Sequence, residues 1–452
     1  MAGIFKAYDV RGIVPDELNP DLAYAIGYFF PRILDAEDTA TVKAVVVSRD
    51  MRETSPALAE ALESGLQTAG FAVWDIGLAT TPMNYFAVGH LGASGAIQVT
   101  ASHNPAVYNG FKFSRRQAIP VSSETGIGLL ERFVSSEKPP APRPQAPLEK
   151  KEIWPAYENH VLRFLRLKEP RLKVAVDVAN GMATLYEPIF AQLNIELLPL
   201  FFGLDGTFPN HEANPLKEEN LRFVKQAVME HRCDLGVAFD GDADRAIVVD
   251  ETGQVVGADL LTGLLAKLFL ERFPGASIVY DVRSSWATRE AILAAGGIPV
   301  RERVGHSFMK ATMRKLESPF GGELAGHFYY RENFYADSAI ITMVEVLNLL
   351  RREGRPLSEL VAPLRAYART GEVNFPVANK EDVISALAEV FADGKVDFLD
   401  GITVEFADWW FNVRPSNTEP LLRLVMEAKS AELLAEKRKD VEAVIRRVGR
   451  RA

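Results

Sequence analysis

Short aliphatic runs alternate with helix-patterned stretches along most of this chain, and that rhythm restricts the possible fold more than any other feature. Val42-Lys43-Ala44-Val45-Val46-Val47, Val174-Ala175-Val176-Asp177-Val178, Leu235-Gly236-Val237-Ala238-Phe239 and Ile278-Val279-Tyr280-Asp281 read as buried strands. Residues 56–70, closing on a glycine where helices commonly stop, together with 220–230 and 286–295, read as helices. Strands alternating with helices predict an α/β fold with mixed, mainly parallel sheets. Parallel strands bring their carboxyl ends to loops that bind ligands. Ser48-Arg49-Asp50 follows Val47 and Asp240 follows Phe239, so polar groups stand at such ends.

A length of 452 residues predicts about three domains, with two to four allowed. The run Ser135-Ser136-Glu137-Lys138-Pro139-Pro140-Ala141-Pro142-Arg143-Pro144-Gln145-Ala146-Pro147 is too proline-dense for a helix interior or a central strand, and a first domain is expected to end there. A coarse recurrence of α/β units follows, without the short period of a solenoid. The last eighty or so residues differ, ending in a charged helix over 431–448, and form a separate small domain. With 48% hydrophobic and 25% charged residues, the composition excludes a wholly disordered chain. The most apolar stretch, 260–270, contains Thr262 and Lys267 and is far too short to span a bilayer, so it reads as a core helix and no membrane association is expected. Lys6, Asp9 and Arg11 interrupt any signal-like run. The one cysteine, Cys233, allows neither an intrachain disulfide nor a cysteine metal cluster, so a cytoplasmic protein is expected. Against 60 acidic residues the 51 Lys and Arg leave a formal charge of −9, which argues against a nucleic-acid binder but allows a local basic pocket for an anionic substrate.

Four segments carry chemistry. Asp240-Gly241-Asp242-Ala243-Asp244-Arg245 places alternating carboxylates on a tight turn, where they can converge on a hard cation. An EF-hand loop is the nearest alternative, with Glu251 at its twelfth position. Arg245 stands where that loop needs glycine, however, and Ala246-Ile247-Val248-Val249 continues as a strand. A strand–loop–strand acid cluster suits Mg²⁺ with positions left open for phosphate oxygens. Thr100-Ala101-Ser102-His103-Asn104-Pro105, followed by Tyr108-Asn109-Gly110-Phe111-Lys112, offers a serine that a base or metal could activate, although neighbours in sequence rarely make a nucleophile–base pair. Arg414-Pro415-Ser416-Asn417-Thr418-Glu419-Pro420, with Arg423 beyond, is a dense donor set for a phosphate dianion; a helix cap from Ser416 and Glu419 is the alternative. Gly321-Gly322-Glu323-Leu324-Ala325-Gly326-His327 allows close ligand approach beside an acid and a histidine, or is simply a glycine-rich turn. Val304-Gly305-His306-Ser307-Phe308 adds another loop histidine, whereas His90, His160 and His231 sit in ordinary surroundings.

In this order, with Ala7-Tyr8-Asp9-Val10-Arg11-Gly12 at the start and Phe208-Pro209-Asn210-His211 in the middle, these segments resemble the α-D-phosphohexomutase superfamily, most nearly its bacterial phosphomannomutase/phosphoglucomutase branch. The resemblance implies three related α/β domains and a smaller C-terminal α+β domain around a central cleft, here 1–148, 149–252, 253–368 and 369–452. It implies a phosphoserine at Ser102, and Mg²⁺ held by Asp240, Asp242, Asp244 and the serine phosphate. It implies that hexose 1-phosphate and hexose 6-phosphate of mannose or glucose interconvert through a hexose 1,6-bisphosphate, which is also the activator. Lys112 and His327 match acid/base groups, and Arg11 and Arg245 match the basic surround of the reaction centre. Glu323 matches the reader of the sugar 3- and 4-hydroxyls. Tyr8, His103, His306, Arg414, Ser416, Asn417, Thr418 and Arg423 match substrate-binding positions. The expected partner is a small sugar phosphate, and the expected state a monomer, with a dimer as the alternative. A sister enzyme acting on an amino-sugar phosphate and a non-catalytic sugar-phosphate binder are the competing readings. Three positions depart from the usual pattern: Ala325 stands where serine is frequent, Arg283 where lysine is, and Asp337-Ser338 where an aspartate pair is.

Overall fold

The computed structural model describes residues 3–34, 43–416 and 421–449. Its first three sheets repeat one arrangement. In each, three parallel strands stand in the order second, first, third, and an antiparallel strand follows beside the third. The first sheet runs Ala72–Leu78, Ala44–Arg49, Gly95–Val99, Tyr108–Arg115. The second runs Ile195–Leu200, Leu172–Asp177, Leu235–Phe239, Ala246–Asp250. The third runs Ile298–Glu302, Ser277–Asp281, Phe320–Gly322, Phe328–Tyr330. Every residue of Gly95–Val99 and Leu235–Phe239 is buried, as expected of strands covered on both faces. The coarse recurrence expected from sequence is thus a repeat of topology, and the sheets are mixed. Val42, assigned to the first strand from sequence, lies outside the described residues.

The proline-rich run is strapped over the first unit rather than hanging free. Tyr24 Oη donates to Pro140 O at 2.8 Å and the Gln145 N–H to Gln67 O at 3.0 Å, and the chain then adds Leu148–Lys150 to Ala72–Leu78 as a further strand of the first sheet. The helix expected over 220–230 begins as a 3₁₀ turn, Glu218–Leu221, and becomes α-helical at Arg222–His231.

One continuous apolar core runs through the first three units. The helices Ala258–Arg272 and Ala339–Glu353 bury most of their residues in it. The fourth sheet is wholly antiparallel, in the order Ala368–Arg369, Leu421–Ala428, Trp409–Pro415, Ile402–Glu405, Lys395–Asp397, with Val373–Pro376 also on Leu421–Ala428. With the helices Lys380–Val390 and Ala431–Gly449 it closes a separate core. Ion pairs join it to the third unit: Arg369 to Asp259 at 2.6 Å, and Arg301 to Asp397 at 2.6 Å and to Glu405. No helix among the described residues is long and apolar enough to cross a membrane.

His160, unremarkable in sequence, ties the second unit to the third. Its Nε2 lies 3.0 Å from Asn333 Oδ1, and its Nδ1 faces the Arg163 guanidinium at 3.0 Å. Burial pushes the imidazole down to about 4, and Arg163 acts in the same direction, since a second ring proton would point at a cation. The unfolded chain therefore binds more protons than the folded one between about pH 6.5 and 4, and stability falls as pH falls through that window, by up to about 3 kcal/mol from this group. Denaturant titrations at pH 7 and pH 4.5 are expected to show this loss, and His160→Gln, which keeps an amide toward Asn333, is expected to flatten it.

Candidate active site

Because the three α/β units share one topology, their third parallel strands end in equivalent places, and these ends carry the three sequence motifs. Thr100 to Pro105 follows Gly95–Val99, Asp240 to Arg245 follows Leu235–Phe239, and Glu323 to His327 follows Phe320–Gly322. The first parallel strands end equivalently in an aspartate, at or just beyond the last strand residue. Asp50 Oδ1 accepts from the N–H of Arg52 at 3.0 Å, Asp177 Oδ1 from Ala179 at 2.9 Å, and Asp281 Oδ1 from Arg283 at 2.7 Å. Each carboxylate also faces a cationic or imidazole side chain, namely Arg52, His211 and Arg283.

Asp240, Asp242 and Asp244 are all buried, with one oxygen of each within 4.8 Å of the others. Asp242 Oδ2 accepts from Thr81 Oγ1 at 2.5 Å, and the Lys112 ammonium reaches Asp242 Oδ2 and Asp244 Oδ2 at 2.6 Å each. Among the described residues Asp242 Oδ1 and Asp244 Oδ1 have no hydrogen-bond partner. Two orphaned carboxylate oxygens in a buried anionic cluster are a strong electrostatic debit that a hard divalent cation would cancel, so the donor set fits a metal ion. Burial and the two neighbouring acids push the Asp240 carboxyl well up. Burial acts the same way on Asp244, but Lys112 and His327 outweigh it and hold that carboxyl below the usual range. On Lys112 burial lowers, and Asp242 and Asp244 more than compensate, so the amine stays charged.

Ser102 Oγ donates to Asp240 Oδ2 at 3.0 Å, closing a separation of 138 residues. It also lies 3.2 Å from His103 Nδ1, so here sequence neighbours do meet. Ser102 has φ 52°, a left-handed conformation that a non-glycine residue adopts only at a cost in strain. Burial, then Arg245 and Arg11, push the His103 imidazole well down, leaving it neutral. At Gly241 a Cβ would sit 2.4 Å from Ser102 O, so only glycine lets the acidic loop approach this closely.

Arg52, which is 1% exposed, holds this strained loop with a saturated guanidinium. Its Nη2 donates to Ser102 O and Asn104 O at 3.0 and 2.7 Å, its Nη1 to Pro105 O and Tyr108 O at 2.8 and 2.9 Å, and its Nε to Asp50 Oδ2 at 3.1 Å. All five N–H groups are used in a planar fork that an ammonium cannot reproduce. Arg52→Lys is expected to cut kcat about 10- to 100-fold through loss of loop geometry, with a smaller change in KM. Steady-state kinetics on the folded variant tests this.

On the third unit, Glu323 Oε1 accepts from the Gly305 N–H at 2.9 Å, and its other oxygen accepts from Tyr329 Oη. Tyr8 Oη donates to Val304 O at 3.2 Å and its ring meets His306 edge-on, so the first unit touches the third across the cleft. Arg245 Nε donates to His327 Nε2 at 2.9 Å, and His327 Nδ1 lies 2.9 Å from Asp337 Oδ2. Asp337 is in turn 2.7 Å from the fully buried Lys310 ammonium. Its neighbour Ser338 caps the helix Ala339–Glu353, accepting from Ile341 N. At this departure from the usual pattern, one carboxylate serves the site and one hydroxyl serves the fold. Arg11 donates to Asp9 Oδ2 and to Asn104 Oδ1 at 2.8 Å each, beside the serine loop.

The fourth unit supplies arginines. Arg414 lies in the strand Trp409–Pro415 rather than in a loop, directly opposite Arg423 on Leu421–Ala428. Asn417 and Thr418, expected to bind substrate, and Glu419 lie outside the described residues. Tyr8, His103, Arg245, His306, Glu323, Ala325, His327, Arg414, Ser416 and Arg423 line one cavity of about 540 Å³, together with Arg283 and Glu372. Sequence reasoning missed Arg52, Thr81, Lys310 and Glu372. Their partners are backbone carbonyls or residues remote in sequence, and the only available signal was that Asp50 and Arg52 follow a strand.

Family models describing domains I, II and III and the C-terminal domain of phosphoglucomutase/phosphomannomutase match residues 2–139, 155–253, 258–367 and 372–444. A protein of Xanthomonas campestris pv. campestris named for phosphohexose mutases is 42% identical, covering 96% of this chain and 97% of its own. A phosphomannomutase of Escherichia coli is 40% identical over 96% of each chain. A crystal structure of a phosphoglucomutase/phosphomannomutase family protein from Burkholderia thailandensis superposes with a TM-score of 0.90 at 33% identity, covering 99% of this chain and 98% of that one.

Proposed function

The chain belongs to the phosphoglucomutase/phosphomannomutase family, and from that premise we propose that it is a phosphohexomutase interconverting the 1- and 6-phosphates of mannose and glucose through phosphorylated Ser102 and a hexose 1,6-bisphosphate. The observation that supports the reading is the contact of Ser102 Oγ with Asp240, in loops whose His103 and Arg245 line the same cavity as Arg414 and Arg423.

Asp240, Asp242 and Asp244, with the serine phosphate, would hold Mg²⁺. Bound there, the ion would neutralise charge on the phosphoryl group in transit. Arg414, Arg423 and Ser416 grip the phosphate of hexose 1-phosphate, and Glu323 orients the sugar through its hydroxyls. The sugar O6 attacks the phosphorus on Ser102, so that the O6–P bond forms as the P–Oγ bond breaks. His327, its Nδ1 held by Asp337, takes the O6 proton on Nε2 as the Arg245 Nε–H there gives way to the sugar hydroxyl; charged Lys112 supplies one to Ser102 Oγ. Arg11 and Arg245 offset the developing charge. The bisphosphate then turns end for end, its 6-phosphate moves to the arginines, and its 1-phosphoryl group returns to Ser102. Because the distal site binds phosphate rather than either end of the sugar, it serves both half-reactions. Burial of Ser102 keeps water from the phosphoserine.

A coupled assay with mannose 1-phosphate, glucose 1-phosphate and glucosamine 1-phosphate, primed with glucose 1,6-bisphosphate and Mg²⁺, tests the reading. Turnover of the first two with kcat/KM well above the third is expected. Turnover of the amino sugar alone, or of none, defeats it.

A further inference from the structure

Arg414 and Arg423 face each other on adjacent antiparallel strands, a like-charge pairing that is unfavourable by itself. Glu372 resolves it. This residue sits in the short link between Ala368–Arg369 and Val373–Pro376, both of which pair with Leu421–Ala428, and its carboxylate spans the two guanidinium groups. Glu372 Oε2 accepts from Arg414 Nη2 at 2.7 Å and Oε1 from Arg423 Nη1 at 2.9 Å, while Arg283 Nη1 lies 3.8 Å from Oε2. Burial would raise the carboxyl, but Arg414, Arg283 and Arg423 hold it below the usual range, so it is an anion at neutral pH. All four side chains line the cavity. Arg283 is also held by Asp281, which accepts from its Nε at 3.1 Å and from its Nη2 at 2.7 Å.

We propose that Glu372 is an internal competitor for the substrate phosphate: it occupies Arg414 and Arg423 in the free protein and is displaced when a phosphate dianion binds. This rests on the reading of these arginines as the distal phosphate site. A carboxylate and a dianion cannot share the same N–H groups without like-charge repulsion, so binding exchanges one anion for another. The exchange prevents the site from holding bisphosphate too tightly, which suits an intermediate that must let go and turn over. Glu372 thereby becomes a specificity-determining residue for phosphate affinity and release.

Calorimetric titration of the full chain with inorganic phosphate, without Mg²⁺, tests the proposal. Glu372→Gln keeps the shape and removes the charge, and it is expected to bind phosphate about tenfold more tightly than the wild type. Glu372→Asp is too short to reach both arginines and is expected to fall between them. With hexose phosphate, KM and kcat are expected to fall together in the glutamine variant, as release slows. Arg414→Met is expected to lose the phosphate isotherm. Equal or weaker phosphate binding by both folded Glu372 variants, with Arg414→Met still negative, overturns the competition while leaving the phosphate site in place. No phosphate binding by the wild type overturns the reading of the arginines, and the competition with it.

Discussion

Ser102→Ala is expected to lower kcat/KM for either hexose 1-phosphate by about 10⁴-fold or more. Phosphoryl transfer through the enzyme needs an oxygen that can carry the group between half-reactions. Ser102 Oγ is the hydroxyl that reaches Asp240 in the acidic cluster. Among the described residues Thr81 also meets that cluster, but it donates to Asp242 Oδ2 at the start of the helix Thr81–Leu91 rather than to Asp240. Water is no substitute acceptor, because it would yield hydrolysis rather than a bisphosphate. The fold is expected to survive: alanine and serine face nearly the same cost at φ 52°, and the loop is held by Arg52 through carbonyl oxygens, which the substitution leaves in place. Steady-state kinetics with circular dichroism as the folding control checks this. A variant within tenfold of the wild type would mean that Ser102 does not carry the phosphoryl group.

The second large effect is expected from Asp242→Asn, with opposite signs for catalysis and stability. The amide keeps the shape, and its oxygen can still meet Thr81 and Lys112, but it removes one carboxylate charge from the buried cluster and one orphaned anionic oxygen. Activity is expected to fall about 10³-fold, since the cation site loses a charged ligand. In metal-free buffer the variant is expected to unfold at an equal or higher temperature than the wild type, because self-repulsion among Asp240, Asp242 and Asp244 is relieved. Adding Mg²⁺ is expected to raise the melting temperature of the wild type and to have little effect on the variant, as binding to the folded state alone requires. Calorimetric scans with and without the ion read this directly. Equal Mg²⁺ stabilisation of both proteins would place the ion elsewhere.

Much of this was legible in the residues. Strand existence and type followed from short apolar runs bounded by polar clusters. The acidic loop fell where a strand was expected to end, whereas the strand Gly95–Val99 that puts the serine loop in the equivalent place emerged only in the structure. The rest depends on registers that no local pattern encodes. Arg414 read as one member of a dense donor set running on to Pro420, yet it lies in a strand whose partner starts at Leu421, and only that register sets it opposite Arg423. Arg52 was invisible because four of its five bonds go to backbone carbonyls, which every sequence offers equally. Glu372 sits between two strands of two and four residues, too short to announce themselves. His160 and Asn333 are 173 residues apart and meet only once the second and third units pack.

The most direct test of the central claim is to follow the phosphoryl group itself. The protein is incubated with glucose 1,6-bisphosphate and Mg²⁺, its intact mass is measured, the modified peptide is sequenced, and mannose 1-phosphate is then added. The account predicts a gain of one phosphoryl group on Ser102, dependent on the divalent ion and discharged to the added sugar phosphate. A chain that stays unmodified while turning over substrate, or that carries the group on a different residue, would contradict it.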